Sequence, residues 1–364
     1  MQALRSLRDS IVVITGTSSG IGKTAAIAFA QRGAHVVLAG RAEEGLGITA
    51  TDVRALGRQA LVVPTDVSDA AAVEELAQAA LRRFGRIDVW VNNASVVIYA
   101  PFIETPPDAF RRVIEINLLG VVHGARAVLP HFVAQRRGVL INVSSGWAAV
   151  GPPYIASYAA SKAAIVSLDQ SLRQELVAYP DVHVCTLLPS GIDTPLYQHA
   201  GNLTGRGVRP VPPLYPVDQA ARTLVELAER PRPRRVVGAA GSGLLLLAAR
   251  IAPGLTEKVM GRVMERFAFT PRAVEPTLGN LYEPSAAPLT TSGGWGPKGG
   301  PLSRALQVAF ILVTGLWDVV RRTRNRTSTR TCTGSNLRRR GRARRSPRSA
   351  GRSRRRFLAR RSPR

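Results

Sequence analysis

Ser10–Gly22 reads SIVVITGTSSGIG: a short apolar run, Ile11–Ile14, followed by Thr15-Gly16 and a cluster of small residues. Beyond Gly22 the pattern turns helical, through Lys23 to Gln31. A strand that turns through glycines into a helix N-terminus makes an anion site. The first-turn N–H groups there have no partner within the helix, and the helix dipole favours a phosphate. Gly16, Gly20 and Gly22 permit a tight turn, close approach of the backbone to a pyrophosphate, and packing of helix on strand. Gly22-Lys23-Thr24 imitates a P-loop, but that motif needs a glycine where this chain has Thr17. The P-loop reading fails by register. A dinucleotide reading stands, with Gly-x3-Gly-x-Gly spacing in place of the commoner Gly-x-Gly-x2-Gly.

At 364 residues the chain can hold one large α/β domain with extensions, or two small domains. A net charge of +26 would suggest a nucleic-acid or membrane partner. That charge is concentrated, because Arg321–Arg364 carries 19 arginines and no acid. The remainder is only mildly basic. Two cysteines, Cys185 and Cys332, cannot make a disulfide framework and fit a reducing, cytoplasmic setting. The N-terminus shows no long apolar run before a cleavage site, so no signal peptide is expected.

Working outward, His35–Ala39 is a second apolar strand ending at Gly40-Arg41. In dinucleotide folds an acid at this strand's end bonds the ribose 2′-hydroxyl, whereas an arginine accommodates a 2′-phosphate. Gly40 takes the acidic position and Arg41 follows, so NADP is expected over NAD, with a solvated loop arginine as the plainer alternative. A helix over Glu43–Leu56, strand Ala60–Pro64, a helix over Ala70–Phe84 and strand Ile87–Val91 follow. A long helix is expected from Asp108 to about Gln135, carrying Asn117 between Ile116 and Leu118, where a buried amide would need partners. Strand Val139–Val143, a helix over Ala156–Tyr179, strand Val182–Leu188, a helix over Val217–Glu229 and strand Arg235–Val237 complete the series. Short strands alternating with longer helices predict a doubly wound, mostly parallel seven-stranded Rossmann-type sheet with helices on both faces, plus a C-terminal extension.

Tyr158 and Lys162 are four apart on a helix and share a face. A nearby ammonium should lower the phenol's pKa from about 10 toward the operating pH, making Tyr158 an acid/base for a carbonyl or alcohol. Ser145, in the loop after the preceding strand, can hold the substrate oxygen beside it. No Gly-x-Ser-x-Gly elbow frames a serine, which argues against a hydrolase. Cys185 lies in the apolar strand HVCTLL and reads as core, and no Cys/His cluster has metal-ligand spacing, so no metal is expected.

Taken together, Thr15-Gly16-x3-Gly20-Ile21-Gly22, Asp66-Val67, Asn92-Asn93-Ala94, Asn117, Ser145, Tyr158-x3-Lys162 and Pro189-x4-Thr194 resemble the short-chain dehydrogenase/reductase family of the classical type. The resemblance covers roughly residues 8–240. It implies an alcohol–carbonyl oxidoreductase with a tetrad: Tyr158 as general acid/base, Ser145 polarising the substrate oxygen, Lys162 lowering the tyrosine pKa and bonding the nicotinamide ribose, and Asn117 holding a water of a proton relay. It also implies a phosphate loop of Gly16, Ser18, Ser19, Gly20, Ile21 and Gly22. Asp66 and Val67 would face the adenine, Asn93 the ribose region, and Ile192 and Thr194 the nicotinamide side. Ser95 and Ser190 stand where the family usually has glycine. A cofactor-binding scaffold or sensor without turnover is the alternative function, and the family suggests a homo-oligomer.

The stretches Ser95–Phe102, Gly146–Tyr154 and Leu196–Tyr215 are expected to line an apolar pocket for a hydrophobic alcohol, ketone or aldehyde. The same lining would suit a subunit or core surface. The chain divides into residues 1–240 as the catalytic domain, 241–300 as a helical and irregular extension, 301–320 as an apolar helix and 321–364 as a disordered Arg-rich tail. Within the extension, Gly243–Ile251 and Glu257–Phe267 read as helices and 270–301 as an irregular arm. Ala305–Trp317 is too short to span a bilayer, which takes roughly 20 residues, and suits a buried or interfacial helix with possible peripheral membrane contact. The tail reads as a functionless appendage or out-of-frame translation ahead of a nucleic-acid or acidic-lipid binder.

Overall fold

Ile11–Thr15 (β1) is buried along its whole length because it runs through the middle of a sheet covered on both faces. The computed structural model describes residues 6–238 and 247–296. With His35–Gly40 (β2), Ala60–Pro64 (β3), Val89–Asn92 (β4), Gly138–Val143 (β5), Val182–Pro189 (β6) and Arg234–Val237 (β7), β1 forms a seven-stranded sheet in the order β7-β6-β5-β4-β1-β2-β3. Every neighbouring pair is parallel. The strand order reverses between β1 and β4, the crevice where open parallel sheets bind ligands.

The period-2 geometry of a strand sends alternate side chains to opposite layers. Val12 and Ile14 join a core with Phe29 of helix α1 (Gly20–Gln31), Leu46 of α2 (Glu43–Ala55) and Leu224 of the helix Val217–Glu229. Ile11 and Val13 join the opposite core, with Leu76 of α3 (Ala70–Phe84) and with Val128 and Phe132. Cys185, 1% exposed, is part of the first core. The ends of α3 follow from its caps: Asp69 accepts from Ala71 N at 2.8 Å, and Gly85 closes the helix at φ 76°.

Several elements differ from the sequence reading. The long helix expected over Asp108–Gln135 runs over Pro107–Ala134, but a π-helical turn, Glu115–Leu119, that carries Asn117 divides it into α4 (Pro107–Ile114) and α5 (Gly120–Ala134). Helix α6 (Ala156–Glu175) stops short of Tyr179, because Pro180 disfavours helical backbone in the residue before it. After α7 (Val217–Glu229), helix α8 (Pro253–Phe267) starts earlier than expected, with Pro253 in the first turn, where a missing N–H costs nothing. The expected loop before Pro216 contains three short strands: Gly201–Asn202 pairs with Ile98–Tyr99, Leu214–Tyr215 with Gly191–Ile192, and Arg206–Val208 with Phe269–Ala273. The helix expected at Gly243–Ile251 is described only from Leu247. Ala305–Trp317, Cys332 and the Arg-rich tail lie outside the described residues.

A polar network runs beneath the strand ends. Trp90 Nε1 donates to Asn92 Oδ1 at 2.7 Å, Asn92 Nδ2 to Asn142 Oδ1 at 2.8 Å, and Asn142 Nδ2 to Asp169 Oδ1 at 2.5 Å. Thr186 Oγ1 donates to the other Asp169 oxygen at 2.6 Å, so β4, β5, β6 and α6 are tied through one buried chain. Burial pushes the Asp169 carboxyl up to about 6. Replacing Asp169 by Ala strands the Asn142 amide and the Thr186 hydroxyl, and urea unfolding is expected to show a loss of about 3 kcal/mol. The sign of the pH effect follows from the raised pKa. Between about pH 4 and 6 the folded chain holds a proton that the unfolded chain has lost, so stability falls as pH rises through that window. Asp169→Asn is expected to abolish that dependence.

Candidate active site

At the end of β1 the chain turns through Gly16 at φ +72° and enters α1 at Gly20, φ +54°. A Cβ on Gly16 would lie 2.8 Å from Ala94 Cα, and one on Gly22 would overlap the Gly16 carbonyl. The turn is held by Asn93, whose Nδ2 donates to the carbonyls of Thr15 at 2.9 Å and Gly16 at 3.1 Å. Thr15 Oγ1 accepts from the N–H groups of Asn93 and Ala94 in return. Ser19 occupies the N-cap without a side-chain cap, and no acid lies in the first turn. The helix N-terminus therefore suits an outside anion, and the glycine cradle fits a pyrophosphate. Lys23 takes no part: its Nζ pairs with Asp52 at 3.5 Å.

Beside the loop, β2 ends at Gly40 and Arg41 turns toward the C-terminal segment. Its guanidinium donates to the carbonyls of Asn280 (2.5 Å), Leu281 (3.2 Å) and Tyr282 (2.7 Å). Asp66 accepts from Ser68 N at 3.0 Å, Ser68 Oγ at 2.7 Å and Arg112 Nη2 at 2.6 Å. Burial pushes the Asp66 carboxyl up, but the Ser68 and Arg112 hydrogen bonds and the Arg112 charge outweigh it and hold the pKa below its ordinary value. Val67, buried next to it, packs against Gly120.

Ser145 follows β5, and its Oγ accepts from Trp147 N at 3.2 Å. Tyr158 and Lys162 project from α6 and are both buried. Ser144 Oγ donates to the Lys162 carbonyl at 2.7 Å, locking α6 against β5. Lys162 Nζ donates to the Val143 carbonyl at 2.9 Å and lies 5.6 Å from the centre of the Tyr158 ring. The phenol's pKa does not fall, contrary to the sequence expectation. Burial raises it, only partly offset by a hydrogen bond with Ser145, and burial also lowers Lys162 to about 7. Desolvation is the largest influence on both groups.

Asn117 has 0% exposure, and its amide is fully used. Nδ2 donates to the Val96 carbonyl at 2.9 Å and Ser161 Oγ at 3.2 Å, while Oδ1 accepts from Val96 N at 2.8 Å and Ser95 Oγ at 3.1 Å. Ser95, in place of a glycine, thus finds a partner within the site. Ser190, the other departure, donates to the Val237 carbonyl at 2.7 Å and fastens β6 to β7.

A continuous cavity of about 230 Å³ joins these groups. Its lining includes Gly16, Ser18, Ser19, Gly20, Ile21, Arg41, Asp66, Val67, Asn93, Ser145, Tyr158, Lys162, Ile192 and Thr194. Gly22 and Asn117 stand behind that wall, Gly22 against Gly16 and Asn117 behind Ser95 and Val96. Aliphatic and aromatic side chains of the lining come from Val97, Tyr99, Trp147, Ile155, Leu196 and Tyr197. Tyr154, held at φ 72°, donates its hydroxyl to Glu265 of α8 and sets its ring edge-on to Phe269, with centroids 5.0 Å apart. His199 falls within the expected stretch Leu196–Tyr215, whereas sequence reasoning missed Asn280, Pro284, Ser285 and Leu289, which also line the cavity. No periodicity marks these four. Burial lowers the His199 pKa, partly opposed by a hydrogen bond with the Pro288 backbone. Among the described residues no cluster of His, Cys, Asp and Glu is placed to hold a metal ion.

With this geometry in view, the relatives are informative. Residues 10–202 match the family model described as short chain dehydrogenase. The Bacillus subtilis uncharacterized oxidoreductase YxnA is 33% identical over 276 residues, 75% of this chain and 77% of its own. An alcohol dehydrogenase from the archaeon Thermococcus sibiricus, solved with 5-hydroxy-NADP, superposes with TM-score 0.55 at 29% identity, covering 63% of this chain and 96% of that one. A short chain dehydrogenase/reductase from Burkholderia phymatum, solved with NAD, gives TM-score 0.62 at 26% identity, covering 75% and 100%. The chain belongs to the short-chain dehydrogenase family and is an oxidoreductase of that family. Adding one methyl at Gly22 tests the cradle: Gly22→Ala is expected to destabilise the fold by about 2 kcal/mol in thermal or urea unfolding, because the loop cannot yield to the new Cβ.

Proposed function

We propose that this chain interconverts an apolar alcohol and its ketone or aldehyde, using NADP in preference to NAD. The observation that carries the proposal is the single cavity leading from the glycine loop to Ser145, Tyr158 and Lys162. The nicotinamide, when bound, supplies or accepts the hydride at the substrate carbon. The Ser145 hydroxyl holds the substrate oxygen. Tyr158 gives that oxygen its proton in reduction and takes it back in oxidation. Lys162 in its charged form stabilises the phenolate left behind, and Asn117, fixed in the π-helical turn, serves the proton path to Lys162. Asp66, Val67 and Asn93 would hold the adenosine half, and Ile192 and Thr194 the nicotinamide half. Preference for NADP rests on Gly40, which puts no carboxylate at the end of β2, and on Arg41 beside it. The apolar substrate class rests on a lining of aliphatic and aromatic side chains.

The wider proposal is a homo-oligomeric, cytoplasmic enzyme built as a catalytic domain over residues 1–240 with a C-terminal extension. Leu247, Ile251 and Leu255, four residues apart and 54%, 75% and 47% exposed, would give that extension a peripheral membrane contact.

Four measurements test this reading. Tyr158→Phe is expected to lose about 10³-fold in turnover of a hydrophobic ketone while retaining NADPH affinity; normal turnover contradicts the mechanism. NADPH binding without turnover of any carbonyl, by wild type, would support a scaffold instead. Reduction needs the phenol protonated and Lys162 charged, so kcat/KM for reduction is expected to fall as pH rises through about 7, where Lys162 loses its proton. Arg41→Ala is expected to weaken NADPH about tenfold and to leave NADH nearly unchanged.

A further inference from the structure

The cofactor cleft has an outer wall supplied by the chain's own C-terminal segment, and that wall occupies groups a dinucleotide would use. The Thr290 carbonyl accepts the Gly20 N–H at 2.9 Å, at the mouth of the glycine loop. Two residues on, the segment is gripped by Asp193, which lies between Ile192 and Thr194. Asp193 Oδ1 accepts from Gly293 N at 3.1 Å and Trp295 N at 2.9 Å, and its Oδ2 accepts from Ser292 Oγ at 2.7 Å. Gln198 adds a bond from Nε2 to the Gly293 carbonyl at 2.6 Å. Gly293 passes so close to Thr194 that a Cβ would run into the Thr194 carbonyl.

The way this segment is held separates it into an anchor and a strap. Leu281 is 0% exposed and inserted in the core, and the carbonyls on either side of it engage Arg41. From Tyr282 to Gly296 no residue is buried. The strap therefore docks mainly through hydrogen bonds and the edge contact of Trp295 with Tyr197, without fully buried side chains to anchor it. Of these bonds, the one from the Gly20 N–H is open to replacement by a phosphate oxygen, whereas those accepted by the Asp193 carboxylate are simply released. The contact with Gly20 is chemically a stand-in: a peptide carbonyl oxygen sits on the N–H of a helix N-terminus, as an anion's oxygen would. Together with the anchor's hold on Arg41, the segment satisfies both groups assigned above to phosphates.

We propose that Pro284–Trp295 is an autoinhibitory strap that competes with the dinucleotide for the glycine loop, so that cofactor binding and strap docking exclude each other. This rests on the dinucleotide reading of the cavity. Because Gly20 would meet the pyrophosphate common to both cofactors, strap release should favour NADPH and NADH alike, unlike substitution at Arg41.

The test uses the full chain and its Gly293→Val variant, in which the added side chain cannot pass Thr194. Hydrogen exchange at Gly20 and across 284–296 reports the strap independently of any cofactor, and fluorescence titration gives the affinity for NADPH and for NADH. The expected result is faster exchange at Gly20 in Gly293→Val together with about tenfold tighter binding of both dinucleotides. In wild type, saturating NADPH should accelerate exchange across 284–296. Faster exchange with unchanged affinity overturns competition, and weaker binding shows instead a flap that closes over the cofactor. If exchange at Gly20 does not respond to Gly293→Val, the strap contact itself is overturned. An undocked strap with no binding of either dinucleotide overturns the cofactor reading instead.

Discussion

Asn93 stands at the end of β4 and donates both hydrogens of its amide to the carbonyls of Thr15 and Gly16 at the end of β1. Through this one side chain, the strand on one side of the switch point sets the path of the loop on the other. The glycines behave as they do because of it. Gly16 must turn at positive φ to present its carbonyl, and Gly22 must lack a Cβ because that carbonyl and the Asn93 amide lie where the Cβ would be. The parallel sheet then brings the ends of β4, β5 and β6 to the same edge, so residues far apart in sequence converge without any long-range device beyond strand pairing.

The chemistry at that edge is governed by burial more than by pairwise charge. Tyr158 and Lys162 share a helix face, yet both neutral forms are favoured, with the phenol raised and the amine lowered to about 7. In such a site a phenol is a proton donor held in reserve, and whatever orders the ammonium beside it decides when the proton leaves. The buried amides of Asn92, Asn117 and Asn142 supply a polar floor whose partners are fixed before any ligand arrives.

Much of this was legible in the sequence because the signals are local. Apolar runs of about five residues between helical stretches identify the seven strands, and the limits of α3 and α7 can be read from Asp69, Gly85 and the proline ahead of Val217. The constellation of Ser145, Tyr158 and Lys162 followed from spacing and resemblance. Other features depend on contacts between distant segments and leave no local trace. The π-helical turn at Asn117 interrupts a pattern that reads as one helix, since a single wide turn barely disturbs helical periodicity. Burial reversed the expected shift at Tyr158, because desolvation depends on tertiary packing that spacing alone does not reveal. Least legible was the segment after Ala273. Its Pro, Gly, Ser and Thr residues read as irregular chain, and nothing in them announces that Asn280–Trp295 would lie along the cavity and take Arg41 and Gly20 as partners.

The central claim is that a nicotinamide dinucleotide spans the edge from Gly20 to Lys162. It is tested most directly by titrating the purified full-length chain with NADPH and following nicotinamide fluorescence. Saturable binding at one site per chain, with enhanced nicotinamide emission displaced by excess NADP, is the expected result. Emission that stays at the free-cofactor value up to millimolar concentration would contradict it.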